Sequence, residues 1–149
     1  MNVLTPVSKI MTRHLEIVLP SDPLSKVKEL FDTHRFHHIP VVEYKKIVGI
    51  ISRSDFQAYY TTLDKHFESR FINDVLLKYH LAEEIMTKKL AKVNPEDRLA
   101  VVVEIFKDNI IHALPVVNDA DELVGIITTH DLIQQLAKEK IQDLDYQTA

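Results

Sequence analysis

Two short phrases carry the residues best suited to chemistry. Ser52 and Asp55 close Val48-Gly49-Ile50-Ile51-Ser52-Arg53-Ser54-Asp55, and Thr128 and Asp131 close Val124-Gly125-Ile126-Ile127-Thr128-Thr129-His130-Asp131. A hydroxyl followed three residues later by a carboxylate, after a β-branched run, fits a helix start at which two side chains satisfy exposed amides reciprocally. The same position can hold a ligand. A helix N-terminus presents free N–H groups and a positive dipole, which attract phosphate. An ionised Asp one turn in only accepts hydrogen bonds and suits the two hydroxyls of a ribose. Gly49 and Gly125, without side chains, allow a flat base or another backbone to come close. The spacing carries both readings, a structural cap and a nucleotide site at a strand-to-helix turn, and it occurs twice.

The elements that must hold these phrases are duplicated with them. The two glycines are the only ones in the chain. Ile10-Met11-Thr12 is answered by Ile85-Met86-Thr87, Pro20 by Pro95, and Pro40-Val41-Val42 by Pro115-Val116-Val117. The offset is 75 at the prolines (115 − 40) and 76 at the glycines (125 − 49), so the second copy gains one residue. A fixed period of this kind marks an internal repeat. Leu15 to Leu19 reads as a short strand ended by Pro20, and Ser21-Asp22-Pro23 as a helix start with a capping side chain before a first-turn proline. Leu24, Val27, Leu30 and Phe31 give that helix a buried face. His38 to Val42 and Lys46 to Ile51 form a hairpin through Glu43-Tyr44-Lys45, and Ser52 opens a helix to about Tyr60. The second copy repeats the order: a strand at Leu90 to Val93, a helix from Pro95 to Lys107, strands at Leu114 to Val117 and Leu123 to Ile127, and a helix from Thr129. Its turn, Asn118-Asp119-Ala120-Asp121, has stronger turn chemistry.

Residues 1–60 therefore make one repeat, 61–81 a connector, and 82–149 a second repeat whose polar tail frays after Lys138. Leu63, Phe67, Phe71, Val75 and Leu76 lie near helical spacing, which predicts an amphipathic connector helix. The fold class is α/β, with two β-α-β-β-α repeats packed as one pseudo-two-fold module. At 149 residues the repeats should share a core, since each alone is marginal.

Composition removes several functions. The net charge of −4, with no basic run, argues against a nucleic-acid or anionic-lipid surface. No stretch approaches the roughly 18 apolar residues of a membrane span, and the start Met1-Asn2-Val3-Leu4-Thr5-Pro6 lacks a secretory pattern. With no cysteine, disulfides and thiolate chemistry are unavailable. A cytoplasmic protein without membrane insertion is expected.

The ordered set I-M-T, P-x-D-x-L, H-x-h-P-V-V and V-G-I-I-[S/T]-x-x-D resembles the cystathionine-β-synthase (CBS) domain. It occurs twice, as in the tandem pair called a Bateman module, and covers about Val7 to Tyr60 and Ala82 to Leu136. The resemblance implies a regulatory module whose two clefts, between the repeats, bind an adenosyl ligand: AMP, ADP, ATP, NAD or S-adenosylmethionine. It also implies a homodimer, in which two modules pair as a flat disc, and an effector protein as signalling partner. By the same resemblance Asp55 and Asp131 take the ribose, while Ser52, Arg53, Thr128, Thr129 and His130 lie near phosphates. The base falls near Leu15, Glu16 and Phe36 in one cleft and Leu90, Ala91 and Ile111 in the other. The pairs before h-P, His37-His38 and His112-Ala113, reach into the opposite repeat's cleft.

Departures from the family pattern make the clefts unequal. Some energy-sensing members carry arginine where His38 stands, and histidine is only partly charged near neutral pH. Ala113 brings no charge. Glu16 is bulkier and more anionic than the small residue usual there, whereas Ala91 fits. The Asp131 cleft, facing His37 and His38, is the better one.

Rival chemistries use the same residues. His34, His37 and His38 are close in sequence, but one ends a helix and another begins a strand, so a metal site is not expected. Asp55 and Asp131 occupy equivalent positions, which argues for two like sites and against an acid–base pair, so no catalysis is expected. The alternative is a ligand-free dimerisation or docking module, with the phrase serving as a cap and Tyr59, Tyr60, Phe67 and Phe71 supplying an interface.

Overall fold

The computed structural model describes residues 1–63 and 70–147. Their elements are helix α1 (Leu24–Thr33), strands β1 (His38–Glu43) and β2 (Lys46–Ser52), helices α2 (Arg53–Thr62), α3 (Arg70–Leu76) and α4 (Leu99–Asp108), strands β3 (Ala113–Val117) and β4 (Leu123–Thr128), and helix α5 (Thr129–Gln147). They fall into two compact units, one of Leu15–Leu90 and one of Met1–His14 with the chain from Ala91 onward. Each unit is α/β and built on a two-stranded antiparallel sheet, β1-β2 or β3-β4. No helix among the described residues is long and apolar enough to cross a membrane.

The sheets grow at both edges by single residues. Val18 bridges Val41 in parallel and Val93 bridges Val116, so the strands expected at Leu15–Leu19 and Leu90–Val93 shrink to one paired residue each. Val18 N donates to Pro40 O (3.1 Å) and Val42 N to Val18 O (2.9 Å). Pro20 and Pro95 follow within two residues, and a proline cannot extend such a ladder. On the other edge Thr87 pairs with Ile50, and Thr12 with Ile126. The second I-M-T thus completes the Leu15–Leu90 unit and the first completes the other. The sequence repeats and the compact units are partitioned differently for this reason.

Both hairpins bulge at the residue before the glycine. Val41 pairs with Gly49 and Val42 with Ile47, leaving Val48 unpaired; Val116 pairs with Gly125 and Val117 with Leu123, leaving Val124 unpaired. Such an extra residue bends and twists a strand locally. The first turn is tight, with Tyr44 and Lys45 both left-handed (φ 51° and 67°), the backbone a two-residue hairpin requires. In the second, Asn118 Oδ1 accepts from Ala120 N (3.0 Å) and Glu122 N (2.9 Å), and Asp121 takes the positive φ of 60°.

Helices α1 and α4 are not capped as their sequences suggest. Pro23 is the cap position of α1 and no side chain caps it. Asp22 Oδ2 instead accepts from Leu19 N (2.7 Å) and Lys26 Nζ (2.8 Å), closing the turn before the helix. The free amides go to backbone carbonyls: Leu24 N to His80 O (2.8 Å) and Ser25 N to Leu77 O (3.2 Å). In the other unit Asp97 Oδ2 holds Asn94 N (2.8 Å), α4 starts at Leu99 and not at Pro95, and Leu99 N and Ala100 N donate to Thr5 O and Val3 O (both 2.9 Å).

The two cores use matching positions. Val18, Leu24, Val27, Ile39, Val41 and Ile51 are buried in one, and Val93, Leu99, Val102, Leu114, Val116 and Ile127 in the other. Leu77 joins the first core, and Asn73, one helical turn earlier, is also buried. Phe71, expected on the inner stripe of the connector, is 74% exposed. Phe67 lies outside the described residues. Helix α5 runs on to Gln147, past the Lys138 boundary expected to fray.

Candidate functional site

Each S/T-x-x-D phrase stands where a strand turns into a helix. At the first, Ser52 is extended (ψ 152°) and its Oγ accepts from Asp55 N (3.0 Å). Asp55 itself is exposed, and among the described residues its carboxylate accepts no hydrogen bond. At the second, the cap is reciprocal. Asp131 N donates to Thr128 Oγ1 (3.2 Å), while Asp131 Oδ2 accepts from Thr128 N and Thr128 Oγ1 (both 2.7 Å). Asp131 is half-buried, and its Oδ1 takes no part in the cap.

The residues before each h-P proline lie along the turn of their own unit. Arg53 N donates to His37 O (2.7 Å), and His38 pairs with Ser52 across the sheet. Thr129 N donates to His112 O (3.0 Å), and Ala113 pairs with Thr128. His37 and His38 thus belong by backbone to the Asp55 turn, and His112 to the Asp131 turn. His130 is exposed in the first turn of α5, and Thr129 beside it is half-buried.

Arg53 is committed elsewhere. Its Nε and Nη2 donate to Phe36 O (3.2 and 2.8 Å), Nη2 also donates to His34 O (2.8 Å), and the guanidinium lies 4.9 Å from the Phe31 ring centroid. The phosphate role expected of Arg53 meets a cation already spent on the loop between α1 and β1. Phe36 in that loop is half-buried and stacks on His34, with ring centroids 4.9 Å apart. Ile111, its counterpart, is also half-buried, while Glu16 and Ala91 are exposed.

The glycines face protein. A Cβ on Gly49 would lie 2.5 Å from Met86 Sδ, and one on Gly125 would lie 2.8 Å from Met11 Sδ and 3.0 Å from the Thr12 carbonyl oxygen. Neither glycine has positive φ. Of the two occupants considered for this space, a base or another stretch of chain, the second is present. The recurrence of methionine at an offset of 75 (86 − 11) and of glycine at 76 (125 − 49) was the only signal for this pairing in the sequence, and it does not say which methionine covers which glycine.

A small polar cavity of about 90 Å³ opens beside Asp131, lined by Lys9, Ile10, Asp131, Gln134, Gln135 and Lys138. Four of these follow Asp131 along one face of α5 or are Asp131 itself, at i, i+3, i+4 and i+7. The sequence motifs pointed only to Asp131. The helical spacing would have brought in Gln134, Gln135 and Lys138, whereas Lys9 arrives from a distant segment.

The model of the CBS domain family matches residues 7–61 and 82–138. An uncharacterized protein of Methanocaldococcus jannaschii is 30% identical over 132 residues, covering 85% of this chain and 45% of its own length. The chain spans under half the length of the first curated relatives it matches. Among solved structures, a CBS domain pair in complex with 5′-methylthioadenosine and S-adenosyl-L-methionine superposes with a TM-score of 0.74 at 23% identity, covering 91% of this chain and 98% of that one. The protein CbpB in complex with c-di-AMP gives 0.68 at 22% identity, covering 97% and 92%. These likenesses show the same fold.

Proposed function

The chain belongs to the CBS domain family, and from that premise we propose that it is a regulatory module that binds an adenosyl ligand and signals to a partner protein. Binding rests on the strand-to-helix turns, with Asp131 as the principal ribose contact. The observation that carries this is the division of labour within one carboxylate. Asp131 Oδ2 holds the cap, while the residue also lines an open polar cavity. A side chain serving only as a cap has no need of such a space. Thr128, Thr129 and His130 form that turn, with Ile111 and Ala91 on the base side. Asp55, Ser52, Phe36 and Glu16 form the corresponding set, in which Arg53 holds the loop, and the resemblance has His37 and His38 serve the Asp131 turn and His112 the Asp55 turn. The ligands named for structural neighbours, S-adenosylmethionine, methylthioadenosine and c-di-AMP, are all adenosyl compounds and support the class. A ligand that favours one arrangement of the module over another would transmit its binding to an effector. A homodimer, a cytoplasmic setting and the absence of catalysis complete the proposal.

A thermal-shift panel of AMP, ADP, ATP, NAD and S-adenosylmethionine tests it. Ligand that binds only the folded state stabilises by RT ln(1 + [L]/Kd), so millimolar ligand of micromolar affinity should raise Tm by several degrees. The shift should shrink by roughly a third to three quarters in Asp131→Asn, since a hydrogen bond to a charged group contributes about 1.5–3 kcal/mol of the roughly 4 kcal/mol that such a ligand supplies. Flat curves across the panel would favour the docking module instead, for which Phe71 and Tyr79, 74% and 77% exposed, offer apolar surface.

A further inference from the structure

The wall of the cavity beside Asp131 carries information about the ligand's charge. Lys9 and Lys138 are its two cations, and neither has an ion-pair partner among the described residues. Gln134 adds an uncommitted amide, and Gln135 Nε2 donates to Glu139 Oε1 (3.0 Å) while the Glu139 carboxylate is itself paired with the Met1 amine. Of the Asp131 carboxylate, Oδ2 is already neutralised in part by two donors from Thr128. The cavity has room for a small polar group several waters in size, and not for a whole nucleoside.

The other copy removes each of these features. With the repeat offsets applied, Gln134, Gln135 and Lys138 correspond to Ala58, Tyr59 and Thr62, and Lys9 corresponds to Glu84. The cations are gone and a carboxylate stands in place of one. Resting on the adenosyl-binding reading above, we propose that Lys9 and Lys138 make the Asp131 turn selective for an adenosyl ligand that carries a phosphoryl group, seated in this cavity, and that the Asp55 turn lacks this selectivity. Two ammonium groups and free amide donors suit the oxygens of a phosphate. They oppose the sulfonium of S-adenosylmethionine and gain nothing from a neutral thioether.

Calorimetric titration of the full chain with AMP, ADP, S-adenosylmethionine, methylthioadenosine and adenosine tests this, repeated in Lys9→Gln, Lys138→Gln and the double variant. Both lysines are exposed, so these substitutions should leave the fold intact. AMP or ADP should bind one per chain with at least about tenfold preference over adenosine, and the double variant should lose about tenfold for the phosphorylated ligands. Adenosine affinity should not move. If methylthioadenosine or S-adenosylmethionine binds as well as AMP, or if the double variant keeps its AMP affinity, the phosphate selectivity is overturned while adenosyl binding stands. If none of the five binds, adenosine included, the adenosyl-binding function is overturned and the selectivity with it.

Discussion

The Ser52–Asp55 and Thr128–Asp131 turns share a sequence pattern but distribute their bonds differently. At the second, the cap is closed from both sides, with Asp131 accepting from Thr128 N and Oγ1. At the first, Ser52 caps Asp55 N while the Asp55 carboxylate stays in solvent. The first turn is held instead by Arg53, which ties the α1–β1 loop through the carbonyls of His34 and Phe36. Position 129 has only a threonine for this purpose, and the corresponding loop is fixed by Asn109 Nδ2 on Ile105 O (2.8 Å). One motif therefore supports a pre-closed turn beside a cationic cavity and an open turn beside a stapled loop. Duplication supplied the backbone, and the neighbours that diverged decide which groups each turn presents.

The largest expected effect lies under the glycines, where the copies should differ in how they can be repaired. Gly49→Ala places a Cβ within 2.5–2.9 Å of Met86 Sδ, Cγ and Cβ, all atoms of one side chain. Overpacking of this kind costs about 1–3 kcal/mol. Met86→Gly removes all three of these atoms, so in that background Gly49→Ala should lose most of its cost. Gly125→Ala meets Met11 Sδ at 2.8 Å but also the Thr12 carbonyl oxygen at 3.0 Å, which accepts from Ile126 N (2.9 Å). Backbone cannot rotate away, so in a Met11→Gly background Gly125→Ala should keep more of its cost. Urea midpoints of the single and double variants measure this, and equal recovery in the two copies would refute the distinction.

The caps come next. Asp131→Ala removes the acceptor of two hydrogen bonds and should cost about 1 kcal/mol, within the usual range for a lost cap. Asp55→Ala removes a carboxylate that accepts none among the described residues and should stay within about 0.5 kcal/mol. Denaturation midpoints that fell equally for both would mean that the Asp55 turn closes in solution as the other does.

Much of this was legible in the sequence, and the limits have physical causes. The hairpins, the helix starts at Ser52 and Thr128 and the cap itself follow from local alternation and spacing, because each depends on residues within a few positions. The exchange of the two I-M-T segments is not local. It requires Met86 to cover Gly49 and Met11 to cover Gly125, across 37 (86 − 49) and 114 (125 − 11) residues. The cap of α1 was misread because Asp22 faces backward to Leu19 N, and carbonyls of His80 and Leu77 take the helix amides. Arg53 looked like a phosphate ligand by motif, but its reach to two loop carbonyls depends on the fold of residues 34–36. Lys9 escaped notice because only packing brings it beside Asp131.

The smallest expected effect sharpens the same contrast at the position where one copy has Lys9 and the other Glu84. The Glu84 carboxyl is held below its ordinary value of 4.5, first by accepting from Leu81 N and next by its pairing with His80 Nδ1 (3.1 Å). A folded-state value that is depressed adds stability above the ordinary carboxylate range, and that stability is lost as pH falls through the lowered folded value. The side chain is 43% exposed, so solvent screening leaves at most a few tenths of a kcal/mol. The local signature is clearer than the global one. On acidification the Leu81 amide resonance should titrate with a midpoint below 4.5, and in Glu84→Gln this inflection should disappear. Ser8 or Pro6, beside Lys9 in the other unit, offers no such carboxylate, so the Met1–His14 segment should show no matching inflection from that position. A Leu81 midpoint at or above the ordinary value would mean that its amide does not hold Glu84, and the divergence between the copies would then rest on Lys9 alone.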